Sequence, residues 1–286
     1  GRPVMIGLLA AVVAASGAGL PRDRPEASAS AGATGYLPSG AWMSQPRAPY
    51  DALEWPAGHA PAGLGIDAAS GRVAAIDAAE GAVRIYAAEG DLEAVLDVAG
   101  SVVAPHDVAW LADGRLALSD AGAGRIVVLD AADGARDAWP MAAPRGLAAV
   151  RGQLFAVSAA EGRVLAFDAA GRARDAVALP SGLDAPDGLA YLGDVPGTDP
   201  PAAQLEVADP ERGQLVAVRD GSTRSARVLD GVRGLRAAAA WADGAAAYRV
   251  GAVAGRGLVA FGADGDAVGE LPFADARDVA VDGAGR

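Results

Sequence analysis

The chain has 286 residues, and its 24 basic residues are all arginine; against 36 Asp and Glu they leave a formal net charge of −12. That sign repels nucleic-acid phosphates and anionic lipid headgroups alike, so neither is an expected partner. Cysteine is absent, which excludes disulfides, thiolate metal sites and a cysteine nucleophile.

Lysine and asparagine are missing too, while Ala, Gly, Asp and Arg abound, the usage expected of a GC-rich bacterial genome. At the N-terminus, Arg2 precedes an apolar run from Val4 to Val13, which gives way to Ala14-Ala-Ser-Gly-Ala-Gly19. A basic start, an apolar middle and a small-residue exit form the pattern of a secretory signal peptide. The run falls short of the roughly 20 apolar residues of a membrane span. Residues 1–20 are therefore expected to be a signal peptide or N-terminal apolar segment of a periplasmic or secreted bacterial protein, with no stable membrane insertion after its removal. Residues 21–50 are rich in Pro, Ser, Ala and Gly without hydrophobic period, and read as a disordered linker.

From residue 51 onward a repeat takes over. Pro61-Ala-Gly-Leu, Pro105-His-Asp-Val, Pro144-Arg-Gly-Leu, Pro186-Asp-Gly-Leu and Ala276-Arg-Asp-Val each lead into a short apolar strand, with a degenerate copy at Val232-Arg-Gly-Leu. The spacing of about 40 to 45 residues is that of a propeller blade. Within each copy, turns such as Asp113-Gly114, Arg151-Gly152 and Ala121-Gly-Ala-Gly124 separate short apolar runs, as antiparallel strands require. A fourth, weaker segment such as Asp137-Ala-Trp-Pro carries proline, which suits an outer strand. The run Ala237 to Ala240 favours helix by propensity, but the Gly and Asp-Gly breaks leave no window long enough for one.

The predicted fold is an all-β, six-bladed propeller of four-stranded antiparallel blades over residues 51–286, opening near 61, 105, 144, 186, 232 and 276. The sixth blade is expected to be incomplete, with the chain cut short at its C-terminus. Residues 51–56 resemble the Asp137-Ala-Trp-Pro segment and would supply an outer strand to that blade.

The Pro-x-Gly-Leu openings, the Asp-Gly-Arg-Leu turn at 113–116 and the Gly-Arg third strands at 124–130 and 162–168 together resemble the NHL-repeat propellers. The resemblance covers residues 58–286 and departs from the family at the turn where Asn and His usually stand. In such a ring the segments entering the innermost strands crowd one mouth of the central channel. The candidate ligand-binding residues there are His106, Asp107, Arg145, Asp187, Arg236, Arg277 and Asp278, with Asp120, Glu161 and Glu211 further out. Alternating Asp and Arg would suit an anionic or zwitterionic small molecule, and Asp107, Asp187 and Asp278 could gather oxygens around Ca²⁺. The competing reading is that each carboxylate caps its own turn and each arginine is solvated.

Among enzymatic resemblances, a gluconolactonase-like site would use Asn, which is absent; an amidating-lyase-like zinc site would use three histidines, and only His59 and His106 exist. A streptogramin-lyase-like site implies His pairs on seven blades. His106 beside Asp107 could act as a general acid or base. Trp110, Tyr191 and Trp241 read as packing between blades. The expectation is a monomeric binding or scaffolding module for a small ligand or protein partner, with no cofactor other than possible Ca²⁺. The alternative is a metal-dependent hydrolase or lyase whose site lies partly in a missing C-terminal segment.

Overall fold

The structure is a computed structural model that describes residues 56, 59, 61–88, 90–132, 134, 136–181, 183, 186–194, 203–219, 222–228, 233–243, 246–261, 267–272 and 278–280. The expected signal segment, the linker, most of residues 51–56, and both Ala276 and Arg277 lie outside the described residues.

Twenty strands fall into five four-stranded sheets in chain order. Blade one is β1 (Pro61–Ile66), β2 (Val73–Asp77), β3 (Ala82–Tyr86) and β4 (Leu92–Asp97). Blade two is β5 (Pro105–Trp110), β6 (Leu116–Asp120), β7 (Arg125–Leu129) and β8 (Arg136–Pro140). Blade three is β9 (Pro144–Val150), β10 (Gln153–Ser158), β11 (Arg163–Phe167) and β12 (Ala173–Ala178). Blade four is β13 (Leu189–Asp194), β14 (Ala203–Asp209), β15 (Gln214–Arg219) and β16 (Ser222–Val228). Blade five is β17 (Leu235–Asp243), β18 (Ala246–Val253), β19 (Gly257–Phe261) and β20 (Ala267–Pro272).

All pairings are antiparallel between sequence neighbours, in the up-and-down order of propeller blades. Three predicted openings coincide with the first residue of a strand: Pro61, Pro105 and Pro144. Arg151 and Gly152 link β9 to β10 with φ of 50° and 73°, and Val150 pairs directly with Gln153. Two successive positive φ values make the two-residue hairpin turn whose twist matches the strands it joins. The Ala237–Ala240 run lies within β17, so tertiary packing overrides alanine's helical preference: Ala237, Ala238 and Ala239 are buried between sheets, where small side chains let them approach.

The core lies between blades. Ile76, Val83 and Ile85 meet Trp110, Leu116 and Leu118 from the next sheet. Ile126, Val128 and Trp139 meet Leu147, Leu154 and Phe167, and Val157 and Val164 meet Leu205, Val207 and Val216. Trp110 and Tyr191 sit in or against these clusters, as blade packing predicts; the Trp241 side chain is not described. Outer strands such as β4 and β8 are mostly exposed. Beyond blade five, Val279 packs with Ala237, Ala239 and Leu258, whereas its neighbour Ala280 packs against Leu64 and Tyr86 of blade one. The Asp278–Ala280 segment therefore fills the slot of a sixth inner strand between blades five and one.

Trp139 locks blade two onto blade three. Its ring stacks on Phe167 at 5.8 Å, and the β11–β12 turn reaches it at Gly171, where φ is 75° and any Cβ would fall within 3.0 Å of the indole. Gly171→Ala is expected to lower unfolding free energy by about 2 kcal/mol through strain and overpacking, read from the shift in urea midpoint.

Candidate functional site: the channel mouth

A one-residue β-bulge recurs at the openings. Between Pro61 and Leu64, Pro105 and Val108, and Pro144 and Leu147, three residues span two on the second strand. In blade four the amide of Asp187 donates to Ala208 O, and Ala208 N donates to Gly188 O, both at 2.9 Å, which places two residues opposite one. Bulges re-aim side chains, and the second residues Ala62, His106, Asp187 and Arg236 line the channel mouth. In blade five the bulge lies between Leu235 and Ala237. The degenerate opening thus takes its register from Leu235-Arg236-Ala237, three residues after Val232, since Gly234 (φ 85°) ends the preceding turn.

The third position of an opening is Gly in blades one, three and four, Asp in blade two and at the sixth position, and Ala237 in blade five; the Gly and Asp choices have steric and electrostatic reasons. At Gly63 a Cβ would stand 2.5 Å from His106 O; at Gly146 it would fall within 3.0 Å of Leu189 N, Asp187 O and Gly188 C. The backbones of adjacent blades meet there, and Gly146 N donates to Asp187 O at 2.9 Å. Asp107 and Asp278 instead act as staples. Asp107 Oδ1 accepts from Val108 N and its Oδ2 from Leu147 N on blade three, both at 2.7 Å. Asp278 repeats the device, Oδ1 accepting from Val279 N at 2.7 Å and Oδ2 from Leu64 N on blade one at 2.6 Å. This reading is closer to the turn-capping alternative than to a free ligand set. It differs in that the cap reaches across to the next blade.

The openings enclose a cavity of about 310 Å³ lined by Ala62, His106, Gly146, Asp187, Arg236 and Asp278, with Pro105, Asp107, Gly188 and Ala237 completing the wall. Every opening from blade one to the sixth position contributes. His106 Nε2 lies 2.8 Å from Asp187 Oδ1 across blade three, the two side chains 28% and 22% exposed. The approach lacks hydrogen-bond alignment: both Asp187 Oδ1 and His106 Nδ1 are buried without a hydrogen-bond partner. Desolvation, reinforced by the Asp278 charge, holds the Asp107 carboxyl well above the usual range against the amides of Leu147 and Val108. Burial, with the Asp187 charge adding to it, pushes Asp278 up to about 7 despite the amides of Val279 and Leu64.

Of the sequence-predicted residues, the cavity thus gathers His106, Asp107, Asp187, Arg236 and Asp278. Arg145 is half-buried and does not line it; Arg277 lies outside the described residues. Asp120 is fully buried and holds a turn, with Oδ1 accepting from Val103 N, Ala104 N and Ala123 N. Glu161 pairs with Arg163 at 2.6 Å on the surface, and Glu211 is exposed. One oxygen each from Asp107, Asp187 and Asp278 does not fall within 4.8 Å of the others; among the described residues, His59, Asp77 and Glu80 do. There Arg84 already bonds both carboxylates.

Two features escaped the sequence reading. Ser119 Oγ, buried, accepts from Asp107 N at 2.9 Å and so positions the staple. Glu206 and Arg249 form a buried two-pronged ion pair between blades four and five, at 2.7 and 2.8 Å. The available signal was one charge inside each apolar strand, at Leu205-Glu-Val and Tyr248-Arg-Val.

No family model and no curated protein matches the sequence. Solved structures do. A chain of the nidogen/laminin complex is similar over 87% of this chain and 95% of its own, with TM-score 0.65 and 16% identity. A gluconolactonase from Xanthomonas campestris is similar over 78% and 79%, with TM-score 0.59 and 20% identity. Virginiamycin B lyase from Staphylococcus aureus is similar over 78% and 74%, with TM-score 0.57 and 13% identity. Identities this low carry fold and not activity: the chain is an all-β protein of the β-propeller fold.

Proposed function

We propose that this is an NHL-like propeller, exported from a bacterial cytoplasm, that binds a small polar ligand at its channel mouth. The observation that carries the reading is the cavity of about 310 Å³ to which all six opening positions contribute. Its size falls within the range of small-molecule sites, and a few convergent polar groups in such a hollow are what fixes a ligand's orientation. The openings and third strands support the NHL-like assignment, and the apolar run after Arg2 supports export.

The test is thermal shift of the full chain against a panel of small polar compounds, cationic, zwitterionic and anionic, with His106→Leu run in parallel. A mouth ligand is expected to raise the parent's Tm by several degrees and to lose that shift in the variant. A panel in which every stabilising compound acts equally on both proteins would overturn the reading.

A second reading, a hydrolase or lyase, is favoured by one observation: His106 and Asp187, an imidazole and a carboxylate of the kinds used in general acid–base catalysis, lie 2.8 Å apart in the cavity wall. The gluconolactonase and the virginiamycin B lyase among the similar structures make gluconolactone and virginiamycin B the substrates to try. Turnover lost in His106→Leu would favour this reading over simple binding.

A further inference from the structure

The mouth cavity has a charge imbalance. Three acidic residues line it, Asp107, Asp187 and Asp278, against Arg236 and His106. Asp107 and Asp278 have each oxygen engaged by a backbone amide, so they contribute field but little free acceptor capacity. Asp187 differs. It receives no aligned hydrogen bond among the described residues, and its approach to His106 Nε2 leaves Oδ1 unsatisfied.

A carboxylate without an aligned hydrogen bond in a cavity wall suits a donor that carries positive charge. Asp187 and Arg236 both line this space, and the net charge of −12 raises the local concentration of a cation near the surface. Ammonium suits the geometry because its several N–H groups can donate to the partly exposed Asp187 carboxylate in the cavity wall. The acids also repel one another: the Asp278 charge raises Asp107, and the Asp187 charge raises Asp278. A bound cation relieves that repulsion.

Resting on the reading of the mouth as a ligand site, we infer that its ligand is a small organic cation bearing a primary ammonium group, with Asp187 as the direct acceptor.

The experiment titrates the full chain with putrescine, with succinate and with Ca²⁺ at constant ionic strength, by calorimetry and thermal shift, in the parent, Asp187→Asn and Arg236→Met. Putrescine is expected to raise the parent's Tm by about 5 °C or more at saturation. Its affinity should drop at least tenfold in Asp187→Asn and rise in Arg236→Met, which removes the competing cation. Near-UV circular dichroism establishes that each variant is folded; should Asp187→Asn fail that check, the direction of the Arg236→Met effect decides alone. Succinate binding that disappears in Arg236→Met, with no response to putrescine, overturns the cationic ligand while leaving the mouth as a binding site. A response to Ca²⁺ alone overturns it in favour of a metal site. No response to putrescine overturns it whatever the wider panel shows.

Discussion

Gly146→Ala is expected to destabilise the chain by about 3 kcal/mol or more, and to lower Tm by roughly 6 to 12 °C for a domain of this size. The new Cβ has nowhere to go. Its neighbours would be Leu189 N, Asp187 O and Gly188 C, all backbone atoms of the next blade and all within 3.0 Å. A side chain can rotate away from an intruder, but two inner strands can yield only by separating. Separation would break the hydrogen bond from Gly146 N to Asp187 O and loosen the packing of Val157 and Val164 against Leu205 and Val207. Asp187 would move with its strand, so the variant should also weaken any mouth ligand. Gly134→Ala is the control: nothing lies within 4 Å of its Cβ, and only the positive φ of 70° opposes it, at a cost of about 1 kcal/mol. Equal urea midpoints for the two variants would show that the blades do not meet rigidly at Gly146.

Between about pH 4 and pH 7 the chain is expected to lose stability as pH rises. Asp278 is pushed up to about 7 by burial and by the Asp187 charge, and Asp107 is raised in the same direction by desolvation and Asp278. A carboxyl with a folded pKa above its unfolded value binds a proton in the native state that the unfolded chain has already released. Its favourable contribution is complete below the unfolded pKa and disappears as pH climbs through the folded one. For Asp278 the window spans about three pH units, an upper limit of about 4 kcal/mol at 1.36 kcal/mol per unit. Asp77 and Asp113 work at the other end. Their pKa values are lowered: desolvation opposes the shift, but it is outweighed by His59 and Arg84 at Asp77 and by Arg115 at Asp113. Their stabilisation is present above the unfolded carboxyl pKa and is lost as pH falls below about 4. Maximum stability should therefore lie near pH 4. Asp278→Asn, which keeps an acceptor for Leu64 N while removing the charge, should flatten the decline. Urea midpoints at pH 5 and pH 8 check this, and a parent midpoint that is unchanged or higher at pH 8 would refute it.

The two results bear on one structural fact: the mouth is also where the ring is held together. Asp278 joins amides 214 residues apart in sequence to those of its own strand, and Asp107 does the same between blades two and three. Ligand binding at this place is consequently coupled to blade geometry, and substitutions in the third opening position perturb both.

By itself the sequence determined the repeat, the strands and the turns. Pro61, Pro105 and Pro144 mark strand starts because proline suits the first residue of a strand, and Arg151-Gly152 makes a tight hairpin because it admits two positive φ values; these are short-range effects written within a few residues. Because a repeating unit puts equivalent residues in equivalent places, the repeat also named His106, Asp107, Asp187, Arg236 and Asp278, which line the mouth cavity. Tertiary structure alone decided the rest. That His106 lies against Asp187 across an intervening blade, that Arg145 turns away from the cavity its column predicted, and that Glu206 finds Arg249 all depend on how closely neighbouring sheets approach. The roles of Asp107 and Asp278 depend on it as well: in sequence they look like free acids at a mouth, and only the distance from one blade's bulge to the next blade's amide makes them staples. Those distances are set by the volumes packed between blades, so no window along the chain contains them.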